Sequence, residues 1–268
     1  MKIFSKDGFM SDVAMKEKAP SIFNDKPSDN VSKHYTHIPT TKVINDMRTL
    51  GWNVVDVAEV KARKKATIGV QKHLVTFNNP DVVINGEDGD TVYPQILLTN
   101  SHDGKNSFKF QAGLFRMICE NGLVIATDSF QDVKMRHMGY TFEELQINIR
   151  EMVERLPLTV ESMNKMKQIE MDQQSAVDFA KRALETRFTE KQIASINIDF
   201  EELLNPIRKQ DEGKDVWSVF NVVQEKLISG DFEYKRGTKI RKARKVKNFS
   251  QDQKINKELF QLALEYAN

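Results

Sequence analysis

Residues Tyr93 to Val124, YPQILLTNSHDGKNSFKFQAGLFRMICENGLV, decide the fold class, because about thirty residues hold two strand-like runs, a polar turn, a helical spacing and another strand start. Ile96-Leu97-Leu98 is a short apolar run that ends in Thr99-Asn100-Ser101-His102-Asp103-Gly104. Asp-Gly followed by Lys105-Asn106 tolerates the positive φ of a tight strand connection, so a hairpin is expected. In the return strand, Ser107 to Gln111, Phe108 and Phe110 alternate with Lys109 and Gln111, the period-two pattern of a strand with one core face and one wet face. From Gly113, Leu114, Phe115, Ile118 and Cys119 recur at three- and four-residue spacing, which predicts a short helix stopped by Asn121-Gly122.

Working outward on the N-terminal side, residues 1–39 hold Pro20, Pro27 and Pro39 among polar residues and read as a partly ordered arm. His34 and His37 lack any Cys or second His pair at zinc-finger spacing and read as surface histidines. Thr40 or Thr41 can cap a helix ended by Gly51, with Val43, Ile44, Met47 and Leu50 on one side. Trp52 to Val60 and Thr67 to Phe77 predict two antiparallel strands joined by a basic tip of Lys61, Arg63, Lys64 and Lys65. The acidic run Asn85 to Asp90 lacks the twelfth-position ligand of a calcium loop and reads as a turn.

On the C-terminal side, Thr141-Phe142-Glu143-Glu144 has capping-box spacing, and Phe142, Leu145, Ile149, Met152, Val153 and Leu156 form an apolar stripe that Pro157 should kink or break. Helical periodicity resumes over 158–169, 175–188 and 189–204, then over 215–228 with Ser229-Gly230 closing it, and again from Ser250. The expected architecture is α+β: a partly ordered arm (1–39), a mostly antiparallel sheet with a packed helix (40–139), and a mainly helical half (140–268).

LLTNSHDG, then GLFRMICENGLVI and the pair Arg136-His137, resemble the phage- and plasmid-borne family catalogued as domain of unknown function 932. APSIF near residue 19, HIPTTKV, NPIR, VWSVFNVVQEKLISG and KINKELFQLA are similar to the same pattern, so the resemblance spans most of the chain. It implies a mobile-element setting and supplies no catalytic residues.

Composition narrows the function classes. One cysteine excludes an intramolecular disulfide, the start MKIFSKDGFM lacks the apolar core of a secretory signal, and no run of about 18 apolar residues suits a membrane span. A cytoplasmic protein is expected. The net charge of +2 hides a division, since Lys235 to Lys247 holds eight Lys or Arg and no acid, which leaves 32 basic against 38 acidic groups elsewhere. Phosphate-loop, dinucleotide, zinc-protease and serine-hydrolase motifs are absent from the sequence.

Two chemistries remain. An enzyme would use His102, Asp103 and Cys119 with Arg116, although Cys119 falls in phase with core positions. A nucleic-acid binder would neutralise phosphates with Arg236, Lys239, Arg241, Lys242, Arg244 and Lys245, and with Lys61, Arg63, Lys64 and Lys65. Asn100, Ser101, Lys105 and Asn106 would hydrogen-bond phosphate and sugar, while Tyr234 and Phe249 would stack on bases. Strands followed by helices are similar in outline to single-strand-annealing recombination proteins. The leading expectation is therefore a single-stranded-DNA-binding or annealing protein with no metal or cofactor, whose amphipathic helices suit a homo-oligomer; a protein-binding accessory factor is the third reading.

Overall fold

The structure, a computed structural model, describes residues 8–62, 67–85, 91–106, 108–116, 122–124, 133–135 and 140–268. In chain order the elements are α1 (Asp12–Lys18), α2 (Thr40–Thr49), β1 (Asn53–Glu59), β2 (His73–Asn78), β3 (Ile84–Asn85), β4 (Thr91–Asn100), β5 (Phe108–Arg116), β6 (Gly122–Val124) and β7 (Val133–Met135). There follow α3 (Phe142–Gln168), α4 (Gln173–Glu185), α5 (Glu190–Ile193), β8 (Asn197–Ile198), α6 (Phe200–Leu204), α7 (Val216–Ser229), β9 (Glu233–Arg236), β10 (Lys239–Lys242) and α8 (Phe249–Tyr266). The chain separates into two compact units, residues 1–117 with 130–156, and residues 118–129 with 157–268.

In the first unit four antiparallel strands lie in the order β1-β2-β4-β5, with short β3 on β4 and β7 on β5. Register aligns Val75, Leu98 and Phe110 across the sheet, and Phe77, Ile96 and Ala112 beside them, so the alternating apolar residues meet on one face. All six are buried. The α+β reading and the hairpin hold: β4 returns as β5 through a turn in which Gly104 has φ +70°.

Two expectations are corrected here. Gly113 opens no helix: β5 runs on to Arg116, because β4 extends back to Thr91 and pairs Gly113 with Gln95 and Arg116 with Val92. A partner strand's hydrogen bonds outweigh a helical spacing only four residues long. The helix against the sheet is α2, which buries Val43, Ile44 and Met47 and packs on β1. Gln111, read as wet, is buried, so the second face of the sheet is covered there too. Before the sheet, the described part of the arm carries α1 and a 3-10 turn at Pro20–Phe23, with Met15, Ala19 and Ile22 buried. Pro157, expected to kink or break the helix, lies inside α3, which continues on both sides of it, and the division between the two units falls beside it.

The second unit is helical, as its periodicities predict. Helix α7 is capped at its start by Asp215, whose carboxylate accepts from Ser218 N at 2.9 Å, and is stopped by Gly230 at φ +77°. Phe220 on α7 meets Phe260 on α8 edge to face, their centroids 6.0 Å apart, and Phe179 on α4 is fully buried. A buried amide pair, Gln224 Nε2 donating to Asn256 Oδ1 at 2.7 Å, ties α7 to α8. A small antiparallel sheet, β10-β9-β8, completes this unit.

Candidate nucleic-acid interface

The hairpin turn of the first unit spends its polar groups internally. Asn100, Ser101 and His102 are each 0% exposed. Asn100 Nδ2 donates to Thr40 Oγ1 at 2.9 Å, and Asn100 Oδ1 accepts from Ser101 N at 2.8 Å. Ser101 Oγ donates to Asp103 Oδ1 at 2.7 Å and accepts from Asn106 Nδ2 at 3.1 Å, while Tyr35 OH donates to the Ser101 carbonyl at 3.2 Å. Asn100 and Ser101 therefore do not face a solvent-borne ligand; of the four hairpin residues expected to touch nucleic acid, Lys105 is exposed and Asn106 is half-buried.

Beneath the turn lies a histidine that the sequence did not single out. His73 Nδ1 sits 2.9 Å from the Gln71 carbonyl, which can only accept, so Nδ1 carries the proton. Nε2 is then the acceptor for the Thr40 hydroxyl at 2.8 Å. Burial holds the ring neutral and pushes its pKa down to about 4, against the smaller opposing pull of the Gln71 carbonyl. The His102 ring lies between those of His37, at 4.6 Å, and His73, at 5.2 Å. Tyr35, half-buried beside Asp103, has its hydroxyl pushed up to about 12 by burial and then by that carboxylate. Tyr35 and His73 were missed because they lie tens of residues from the turn and nothing local marks them, and Thr40 was read only as a helix cap.

For the enzyme reading, His102 is fully buried and Asp103 is engaged by Ser101 Oγ and by Lys105 N at 3.0 Å, while Cys119 lies outside the described residues. Among the described residues no cluster of three or more His, Cys, Asp or Glu could hold a metal ion. Of the first basic tip, Lys61 is exposed; Arg63, Lys64 and Lys65 lie outside the described residues.

The second unit organises its cations differently. The basic run is an antiparallel ribbon: β9 and β10 pair Arg236 with Lys239, Lys235 with Ile240, Tyr234 with Arg241 and Glu233 with Lys242, around a turn where Gly237 has φ +59°. Directly opposed residues share a face, so Arg236, Lys239 and Arg241 lie with Tyr234 on one side, and Lys235, Ile240 and Lys242 lie with Glu233 on the other. Arg236, Lys239, Arg241, Lys242, Arg244 and Lys245 are all exposed. Tyr234 is partly exposed, with its ring edge-on to Phe188 at 6.4 Å; Phe249 is buried as the first residue of α8 and is not available to stack on bases.

Past the ribbon, a strap over 243–247 is fastened to α7. Ala243 N donates to the Phe232 carbonyl and Val246 N to the Ile228 carbonyl, each at 2.9 Å. The Arg187 guanidinium donates to the carbonyls of Leu227 and Arg244 and lies over the ring of Phe232, 5.6 Å from its centroid. Gly230 is needed twice: its φ is left-handed, and a Cβ there would stand 2.5 Å from the Arg244 carbonyl carbon. Lys242 pairs with Asp231 at 2.7 Å; among the described residues the other seven cations of Lys235 to Lys247 are in no ion pair.

No helix among the described residues is long and apolar enough to cross a membrane. Among known proteins the chain is similar to two from Escherichia coli K12, the UPF0380 proteins YafZ, 28% identical, and YfjQ, 27% identical, each over 91% of this chain and 86% of the relative. No solved structure matches. The model of the domain of unknown function DUF932 matches residues 27–260, nearly the whole of both units, and the chain belongs to that family.

Proposed function

We propose that this is a nucleic-acid-binding protein that holds single-stranded DNA by its backbone, in the recombination or replication of a mobile element. The observation that carries this reading is the ribbon and strap: eight cations within thirteen residues, seven of them in no ion pair among the described residues, fixed by backbone bonds to α7 in a chain whose remaining charge is −6. Assembling like charges raises the energy of the folded state, and a polyanion that displaces its own counterions onto them lowers it. On this reading Lys105 and Lys61 are accessory contacts, and Asn100 and Ser101 shape the turn.

Fluorescence anisotropy with single-stranded oligonucleotides across a salt series tests it. The logarithm of affinity should fall linearly with the logarithm of salt, with a slope of about −0.7 per neutralised phosphate. Changing Arg241, Lys242, Arg244 and Lys245 together to Ala should flatten that slope by up to about 3 and weaken all sequences alike. Unchanged affinity and slope in the quadruple variant would overturn the reading.

A further inference from the structure

The ribbon's second face borders a groove of about 400 Å³, within the range of about 300–1,000 Å³ typical of small-ligand sites. Asn197, paired with Lys235 across β8 and β9, lies on the same face as Ile240 and Glu233, and the start of α6 adds Asp199 and Glu202. Ile240 is 62% exposed, an apolar surface in the middle of a charged ribbon. The Asp199 carboxylate is committed to capping α6, where it accepts from Glu201 N at 3.0 Å and Glu202 N at 3.4 Å. Glu202 and Glu233 are exposed acceptors on the groove, and Lys235 and Asn197 supply donors.

This chemistry differs from that of the opposite face. Three carboxylates outnumber the two lysines of this face, Lys235 and Lys242, so a strand drawn in by the cations of the opposite face would turn its bases, and not its backbone, toward the groove. A flat base can rest an apolar face on Ile240. Its edge must then give protons to Glu202 or Glu233 and accept them from Asn197 or Lys235. Cytosine meets both needs, with its N4 amino group beside the N3 and O2 acceptors, and a carboxylate accepting from that amino group is an established mode of base readout. Thymine's one edge donor, N3–H, lies between two carbonyl oxygens, so a carboxylate that reaches it is set against acceptors on both sides, whereas the N4 amine of cytosine projects from the edge with its acceptors on one side only.

Resting on the single-strand reading above, we propose that the groove beside β8, β9 and β10 takes an amino-bearing base, so that the protein binds oligo(dC) in preference to oligo(dT). The experiment is anisotropy with 20-nucleotide oligo(dC) and oligo(dT) at pH 7.5, using the full chain and the double variant Glu202→Gln with Glu233→Gln, each checked for folding by thermal melting. Oligo(dC) should bind roughly tenfold tighter than oligo(dT) to the unaltered protein. In the double variant the ratio should fall toward one, while oligo(dT) binds at least as tightly as before because two repelling charges are gone. Equal binding of the two oligonucleotides, with a steep salt slope, would overturn the base groove and leave backbone binding standing. A double variant that binds both more tightly by one common factor would show a merely repulsive groove and also overturn it. If neither oligonucleotide binds, the single-strand reading itself falls.

Discussion

The hairpin turn at 99–106 and the ribbon at 233–247 are both β connections rich in polar residues, yet one turns its polar groups inward and the other turns them out. The difference lies in side-chain length and in what is near. Asn100 and Ser101 have short side chains that reach only the backbone and their neighbours, and they are surrounded by Thr40, Tyr35 and Asp103, so desolvation is offset by hydrogen bonds. Lysine and arginine on β9 and β10 carry charge several bonds from the chain, and burial would cost more than any partner there returns. Polar residues in a turn thus say little about ligand contact until their partners are known.

Acidification should separate the two units most strongly. His73 in the first unit stays neutral down to about pH 4, while its unfolded form takes up a proton near 6.5, so stability falls as pH drops between those values, by at most about 3 kcal/mol. The half-buried Asp252 on α8 has the opposite sign: burial raises its pKa to about 6, against the smaller effects of Asn256 and Lys245, so the folded second unit takes up a proton before the unfolded chain does. Its contribution therefore becomes more favourable as pH falls from about 6 toward 3.8. Segment-resolved hydrogen exchange at pH 7, 5.5 and 4.5, corrected for intrinsic rates, reads both. A first unit that keeps its protection at pH 4.5, or loses it equally in a His73→Asn variant, would remove this contrast.

Next in size, Thr40→Val tests the inward-facing network. Valine keeps the shape but leaves both His73 Nε2 and Asn100 Nδ2 without the hydroxyl between them, at an expected cost of about 2 kcal/mol in urea unfolding of the first unit. A cost below about 0.5 kcal/mol would mean that the network contributes little and that the hairpin is held by its apolar face. Smallest of all should be the stability effect of the quadruple alanine change in the ribbon, with the melting temperature all but unchanged, because the side chains it removes are exposed. A large loss of melting temperature there would show that the cations pack, and would blur the contrast that the binding experiment depends on.

Most of the architecture was legible because periodicity and punctuation agree. Asp103-Gly104 marks the hairpin, Asp215 and Gly230 bracket α7, and Phe108 and Phe110 alternate as a strand must. The reading failed where a distant partner decides. Gly113 to Arg116 is a strand because β4 lies beside it. The basic run hid its ribbon, since cations occupy both faces and leave no alternation to see; Ile240 and Gly237 were the faint signals. The groove was not legible at all, as β8 and α6 join it from more than thirty residues upstream.

The close approach of the strap to Gly230 gives the ribbon no independent existence. Val246 and Arg244 are bonded to the last turn of α7 and to Arg187 just beyond α4, so the cations are held in place only in molecules whose helical unit is folded. Any polyanion that binds the assembled ribbon and not the open chain must therefore draw the folding equilibrium toward itself, by an amount that grows with the logarithm of its concentration above its Kd.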